Sequence, residues 1–320
     1  MRGASVRRLT IACVAAVAFV AASPPEAAPA QDLSASTDQA AGLSAKERER
    51  IHASHIEKAT TWETSAARAP GAGPAMSAQR RYDRDGNLLE EFVYKPDGAL
   101  LAHVTRRYGG DGRVAESVSD SPIEKARTTT AFEYDGSGKL SGTVTRSPDG
   151  KELVRMTYRY EPAGHLIEMV TTNPGGSVHV RVALKYDGAG HPVETTAFDA
   201  GGAVEARTVV RYDAAGNRVE ETGFGKDGAV LSHTTRRYDA KSRPVEVRVE
   251  NAKGITIQVT THGYDSQGNV VETATTNPAA GTLSRTTFSY DRMGNPLEET
   301  RYNKLGQVVG HATHAYEYFQ

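Results

Sequence analysis

Tyrosine recurs along this chain every 26 residues, without an insertion or deletion across nine intervals. A fixed period of this length is typical of repeat architectures, in which each unit buries its apolar face against its neighbours. The pattern therefore predicts a repeat array over residues 82–320. The repeated tyrosines are Tyr82, Tyr108, Tyr134, Tyr160, Tyr186, Tyr212, Tyr238, Tyr264, Tyr290 and Tyr316.

Glycine occupies two further columns of the repeat, at +4 and +16 when each tyrosine is counted as position 0. Glycine adopts positive φ without steric strain, so both columns predict tight turns. About eight residues separate successive turns, which is the length of a β-strand. We therefore predict an all-β fold, a repeat array of nine 26-residue two-strand units. We expect one long, curled antiparallel β-sheet, because open sheets rarely exceed ~10 strands without curling. Glycines of the +4 column include Gly86, Gly216, Gly268 and Gly294.

The first 30 residues have the pattern of a signal peptide. Arg2, Arg7 and Arg8 precede an apolar run, residues 9–22, that is too short to span a bilayer. Small residues then mark a cleavage site near Ala30. We predict a secreted, periplasmic or cell-surface protein without a membrane span in the mature chain. The alternative is an uncleaved membrane anchor.

Residues 31–81 form a predicted N-terminal tether with a short helix and a linker. The Ser44-Ala45-Lys46-Glu47 sequence has the pattern of a capping box, so we expect a helix over about residues 44–59. Thr60, Thr61 and Trp62 favour a strand, and Pro70 to Pro74 reads as a linker.

The repeated Tyr-Asp-x-x-Gly-Asn sequence, as in residues 82–87 and 264–269, resembles the YD repeat of RHS-type proteins. The resemblance covers residues 82–320. It implies a long β-sheet that winds into a shell, which encloses a C-terminal toxin in large members of the family. Other members act in surface adhesion or carbohydrate binding. This chain ends at Gln320 without a recognisable toxin segment.

Glutamate fills the +8 column in eight repeats, and arginine or histidine fills most of the +21 column. A two-residue loop would place +8 opposite +21, and a three-residue loop would place it opposite +22. The charged rows would then fix strand register and solubilise one face. Alternatively, the basic row is a ligand-binding site for an anionic glycan or surface polymer, with binding that strengthens below pH ~6.5 as histidine protonates. That candidate row contains His103, Arg155, Arg181, Arg207, His233, Arg285 and His311.

Other sequence features favour structural roles over chemistry. The tyrosine column is expected to pack, although a sugar-stacking role is the alternative. Asp83 to Asn87 resembles a calcium loop but lacks its further acidic ligands, and His52 with His55 lacks a third ligand. We therefore predict no metal site, no cofactor and no catalytic residues. The formal net charge of −1 argues against a nucleic-acid partner.

These observations predict an exported, non-enzymatic repeat protein with a binding or scaffolding role. Its expected partner is a glycan or another surface polymer, or else a protein. The alternative function is an accessory or truncated shell component of an RHS-type toxin system.

Overall fold

The computed structural model describes residues 43–65 and 73–320. The predicted signal peptide, residues 31–42 of the predicted tether and linker residues 66–72 lie outside the described residues. Helix α1 spans Ala45–Ala53, and its N-cap Ser44 accepts a hydrogen bond from the backbone N–H of Glu47 at 3.2 Å. The helix ends before residue 59, contrary to the prediction, because His55 takes a φ of 54° and a strand begins directly after it.

Twenty β-strands make up most of the described chain, which confirms the all-β class. Eighteen strands follow Tyr82, and two precede it in the segment predicted as a tether. The strands are β1 (Ile56–Ser65), β2 (Ala75–Tyr82), β3 (Leu88–Tyr94), β4 (Leu100–Tyr108), β5 (Val114–Ser121), β6 (Ala126–Tyr134), β7 (Leu140–Arg146), β8 (Glu152–Tyr160), β9 (Leu166–Thr172), β10 (Val178–Tyr186), β11 (Pro192–Phe198), β12 (Val204–Tyr212), β13 (Arg218–Gly225), β14 (Val230–Tyr238), β15 (Pro244–Asn251), β16 (Thr256–Tyr264), β17 (Val270–Asn277), β18 (Gly281–Tyr290), β19 (Pro296–Asn303) and β20 (Val308–Tyr318).

The described residues divide into two compact units. Unit 1 contains residues 133–261 and 275–281. Its apolar cluster is built from strands β9 and β10 and contains Leu166, Met169, Val182 and Leu184. Unit 2 contains the remaining described residues. Its apolar cluster joins α1 to the first three strands and contains Leu43, Ile51, Ile56, Tyr82 and Leu88.

In unit 2, β1 pairs with both end strands of the array, so the predicted long, curled sheet is corrected to a closed one. Strand β1 pairs with β2 on one side and with β20 on the other, both antiparallel. Trp62, for example, lies opposite Met76 of β2 and opposite Thr313 of β20. Strand β1 carries no tyrosine–glycine signature, so the repeat pattern gave no indication that it joins the start of the array to its end.

The register within each repeat also differs from both predicted alternatives. In the hairpin of β3 and β4, Glu90 at +8 lies opposite Thr105 at +23, and His103 at +21 lies opposite Phe92. The turn uses four residues, with the Gly98 N–H donating to the Lys95 carbonyl at 2.9 Å. A bulge adds one more residue beyond the turn. The turn alone gives the register of the predicted three-residue loop, with Tyr94 opposite Leu100, and the bulge between Val93 and Tyr94 moves the +8 residue one position further, to +23.

The repeated tyrosines lie within the sheet, and most of those whose hydroxyl bonds are known contact the preceding repeat. The hydroxyls of seven of these tyrosines donate a hydrogen bond to the carbonyl oxygen of the residue 20 positions earlier, as Tyr186 does to Leu166 at 2.7 Å and Tyr238 to Arg218 at 2.8 Å. Burial raises the pKa of Tyr82 to about 12. These phenol side chains therefore link seven repeats to the repeat before them. The same bond is made by Tyr108, Tyr160, Tyr212, Tyr290 and Tyr316.

Helix α1 covers turns from both ends of the array in unit 2. At the first turn, a Cβ added to Gly86 would lie 2.5 Å from the carbonyl oxygen of Arg48. At the last repeat, the fully buried Asn295 donates to the Ser54 hydroxyl at 3.3 Å and accepts a hydrogen bond from Arg50. Helix α1 and its C-cap therefore contact a turn at the start of the array and a turn at its end.

Candidate ligand-binding face

In unit 1, each +8 glutamate contacts two basic side chains rather than one. In unit 1, Glu168 is 3.2 Å from Arg159 and 3.2 Å from Arg181. Arg159 lies directly opposite Glu168 on the preceding strand, whereas Arg181 is a diagonal neighbour on the following strand. Burial raises the pKa of Glu168, but hydrogen bonds from Arg159 and Arg181 outweigh it and lower the pKa overall.

The same arrangement recurs in the next repeats of unit 1. Glu194 lies between Lys185 at 2.7 Å and Arg207 at 3.5 Å. Glu220 lies between Arg211 and His233, each at 2.9 Å. Each carboxylate therefore bridges three neighbouring strands, and one basic side chain per repeat remains in excess of the acid beside it. We call this strip of unit 1, with Glu168, Glu194, Glu220, Glu246 and their basic partners, the charged ladder.

The residue just before each tyrosine is the part of the ladder that the sequence reasoning missed. Lys185, Arg211 and Arg237 occupy this position, and their side chains are 73%, 74% and 73% exposed. The +21 arginines are less exposed, at 35% for Arg181 and 41% for Arg207. A basic residue before the tyrosine recurs in six repeats, so the signal was present in the sequence. Its relation to the glutamates depended on a register that the sequence did not reveal.

Aromatic rings support three of the predicted basic residues. The guanidinium carbon of Arg181 lies 3.7 Å from the ring centre of Phe198, and that of Arg207 lies 4.4 Å from Phe224. In unit 2, Arg285 lies 4.3 Å from the ring centre of Tyr302 in the same way. Each ring stands directly opposite its arginine on the next strand. Cation–π attraction therefore stabilises these guanidinium groups beside the rings.

The histidines of the predicted row have different surroundings. His103 stacks on Phe92 with ring centres 4.2 Å apart, and its Nε2 lies 2.8 Å from Glu90. His311 instead contacts the hydroxyl of Thr300 through Nδ1 at 3.0 Å. The row is therefore not uniform, because His311 faces a hydroxyl where His103 faces a carboxylate.

His233 is held between two carboxylates in unit 1. Its Nε2 lies 2.9 Å from Glu220 and its Nδ1 lies 3.4 Å from Glu250. The hydrogen bond to Glu220, helped by Glu250, raises the pKa of His233 above its ordinary value, although partial burial opposes the shift. Protonation at mildly acidic pH therefore adds a positive charge to the ladder.

Arg155 is the exception in unit 1, because its repeat has Gly142 at +8 instead of glutamate. The carboxylate comes from Glu133, at the position that is basic in most other repeats, and lies 3.7 Å from Arg155. A Cβ added to Gly142 would lie 2.9 Å from a Glu133 oxygen, so that side chain fills the space of the missing glutamate. Arg155 also pairs with Glu152 at 2.9 Å.

The calcium-like sequence is an ordinary turn in the structure. Asp83 accepts hydrogen bonds from the backbone N–H groups of Asp85 and Asn87 at 2.9 Å, and from the Asn87 side chain at 2.9 Å. His52 and His55 bond separate backbone carbonyls, those of Arg84 and Ala53. Within residues 43–65 and 73–320, no three or more His, Cys, Asp or Glu side chains are grouped so that they could hold a metal ion. None of the helices in this part of the chain is long and apolar enough to cross a membrane.

Comparison with known proteins places the repeat signature in a described family. Residues 264–302 match the model of the RHS Repeat, which confirms the resemblance seen in the tyrosine–glycine motif. No curated protein matches the chain.

The solved structures that match this chain share little sequence with it. A porin-like protein from Bacteroides uniformis is 11% identical, with 82% of this chain and 97% of that chain covered and a TM-score of 0.37. The TcdB2-TccC3-Cdc42 structure is 13% identical, with 78% and 19% covered and a TM-score of 0.24. The Photorhabdus luminescens Tc holotoxin pore is 12% identical, with 80% and 18% covered and a TM-score of 0.22. The chain thus spans less than a fifth of the length of the matched chains in the latter two structures.

Proposed function

We propose that this chain is an exported, non-enzymatic RHS-type repeat scaffold that binds an acidic glycan or a similar polyanionic surface polymer through the charged ladder of unit 1. The observation that carries the proposal is the placement of each ladder glutamate between two basic side chains. Glu246 also contacts two basic side chains at 3.4 Å each, Arg237 on the preceding strand and Arg248 on its own strand, and it extends the ladder to a fourth repeat. The four +8 glutamates thus contact seven arginine or lysine side chains and His233, and Glu250 is a fifth carboxylate beside His233.

The geometry favours a polymer over a small anion. Neighbouring strands lie about 4.8 Å apart, so equivalent side chains of successive two-strand repeats are about 10 Å apart. The exposed ends of Lys185, Arg211 and Arg237 form a row with this spacing. Each contact with a single anion in water is weak. A chain of acidic groups that contacts several repeats at once gains affinity by multivalency.

The proposal is tested by a glycan-array binding assay on residues 31–320 at pH 7.5 and pH 5.5. We expect saturable binding to acidic glycans, stronger at pH 5.5 because His233 is then protonated. The double variant Arg181→Ala plus Arg207→Ala should weaken binding. Lys226→Ala plus Lys253→Ala is the matched control, because it removes the same charge from exposed turn residues outside the ladder.

A gain-of-binding variant separates recognition from loss of folding. Glu194→Gln removes the carboxylate between Lys185 and Arg207 while preserving its shape. Binding to acidic glycans should therefore strengthen. The ladder is not the binding site if the protein binds no acidic glycan at either pH. The same conclusion follows if the control pair of substitutions weakens binding as much as the ladder pair.

A further inference from the structure

In unit 2, two arginines of β2 and β4 share one carboxylate of β3, on the face of these strands opposite to the +8 residue Glu90. Arg80 lies directly opposite Glu91, with Nε 2.7 Å from its carboxylate. Arg106, two residues beyond the strand partner of Glu91, approaches the same carboxylate only to 3.9 Å. Arg107, the next residue, points to the other face because side chains alternate along a strand.

Arg106 is deeply buried and poorly satisfied. Its side chain is only 9% exposed, and its Nε and Nη1 atoms make no hydrogen bond to the described protein atoms. Burial lowers the pKa of Arg106, with Glu91 opposing the shift. A guanidinium nevertheless keeps its proton in proteins, so the buried charge requires a hydrogen-bonding counter-charge. A carboxylate that is already bonded to Arg80 supplies only part of it.

The arrangement occurs a second time, in unit 1. Glu221 lies 2.8 Å from Arg218 and 3.0 Å from Arg236. Here too, Arg218 Nε and Arg236 Nη1 are buried without a hydrogen-bond partner among the described residues. The glutamates occupy +9 of their repeats, and Arg106 and Arg236 each stand two residues before the next tyrosine. The same two columns therefore produce two clusters of two cations and one anion.

We propose that each of these clusters is a binding site for an oxyanion, a carboxylate or phosphate group. Two guanidinium groups on one glutamate leave one positive charge, and the unpartnered N–H groups supply donors for anionic oxygens. In unit 2, Ser117 lies directly opposite Arg106 on the next strand and adds a hydroxyl beside the site. Arg80 is 43% exposed, so the cluster is open to solvent on that side. The sites are separate from the charged ladder, and they remain if the ladder binds nothing.

The test uses inorganic phosphate and acetate as probes, each compared with sodium chloride at equal ionic strength. We expect phosphate, acetate or both to raise the thermal midpoint of the protein, because a ligand that binds only the folded state stabilises it. A rise with phosphate alone identifies a phosphate site, and a rise with acetate alone identifies a carboxylate site. Arg106→Met and Arg236→Met should each reduce the rise, and the double variant should abolish it.

Arg107→Met is the matched control, because Arg107 is 66% exposed on the other face and the same charge is removed. It should keep the full response. A second measurement needs no variant: the Arg106 Nε–H resonance of the unaltered protein should shift on titration with the active anion. An equal response in the double variant, or no response of the unaltered protein to either anion, overturns the proposal.

Discussion

Glu133 and Gly142 stand where the neighbouring repeats have a basic residue and a glutamate, respectively. Elsewhere in unit 1 a basic residue precedes the tyrosine and a glutamate stands at +8, as in Arg159 and Glu168. Here the glutamate precedes the tyrosine, the +8 residue has no side chain, and the carboxylate still reaches Arg155. The requirement is therefore for a carboxylate beside the +21 arginine, whichever strand supplies it.

This requirement predicts the outcome of a double-mutant cycle. Glu133→Arg alone should destabilise unit 1, because it places a cation beside Arg155. Gly142→Glu alone should also destabilise it, because two carboxylates then occupy one space. The double variant restores the neighbouring pattern, so the free energies of unfolding should be non-additive by roughly 0.5–1 kcal/mol. Urea denaturation measures the cycle, and simple additivity of the two losses would show that the charges do not interact.

His233 makes stability depend on pH near neutrality. Glu220 and Glu250 raise its pKa in the folded protein above the ordinary value of 6.5, which the unfolded chain retains. The folded state therefore binds more protons over the window between 6.5 and the raised pKa. The stabilisation is complete below pH 6.5 and is lost as the pH rises through the folded pKa.

We expect Glu220→Gln to lower the pKa of His233 towards 6.5 and to destabilise the protein more at pH 6 than at pH 8.5. NMR titration of the His233 ring gives the pKa, and urea denaturation gives the stability at each pH. Glu246→Gln is the control, because that glutamate contacts Arg237 and Arg248, which do not titrate in this range. A pKa of His233 that is unchanged in Glu220→Gln would contradict the assignment.

The hairpin is the element whose pairing the sequence predicted only in part. The glycine columns located its turns, and Gly98 and Gly216 have positive φ as expected. The register was beyond reach, because the bulge that shifts it after Val93 falls among ordinary strand residues with no glycine to mark it. The ladder partners before each tyrosine were missed for the same reason. Their identity was visible, but their alignment with the +8 glutamates was not.

Gly86 is required for its close contact with helix α1 as well as for the conformation of its turn. Gly86 and Gly98 have similar φ angles, 79° and 83°, in the same unit. A Cβ at Gly98 would meet no atom within 4 Å, whereas a Cβ at Gly86 would meet the helix backbone at Arg48. Backbone cannot rotate away as a long side chain can, so the helix itself has to move.

A matched pair of alanine variants separates turn strain from helix contact. Gly98→Ala should cost about 1–2 kcal/mol of stability, the penalty of the left-handed conformation. Gly86→Ala should cost clearly more and should increase hydrogen exchange of the amides in α1. Thermal or urea unfolding measures the costs. Equal losses in the two variants would show that α1 does not press on the first turn.

At the scale of the whole molecule, the sequence predicted the array but not how its ends meet. The Tyr-Asp-x-x-Gly signature begins at Tyr82, so Thr60 to Trp62 indicated a strand without a partner. The partner that matters most is distant: Thr61 lies opposite His314, and their side chains are 3.0 Å apart. Such non-local pairing depends on backbone hydrogen bonds that any strand can make, which is why local sequence did not identify it.

Closure through β1 predicts what happens when that strand is removed. Deletion of residues 43–65 takes away the partner that both β2 and β20 use, and leaves two rows of unpaired backbone N–H and C=O groups. Exposed strand edges pair readily with other chains. The shortened protein should therefore self-associate more strongly than the intact chain at equal concentration, as measured by light scattering after size-exclusion chromatography.

Deletion of residues 43–54 alone is the control, since it removes α1 but leaves β1 in place. This deletion should lower stability without increasing association. If the deletion through residue 65 leaves the molecular mass unchanged over a wide concentration range, β1 is not needed to cover these edges.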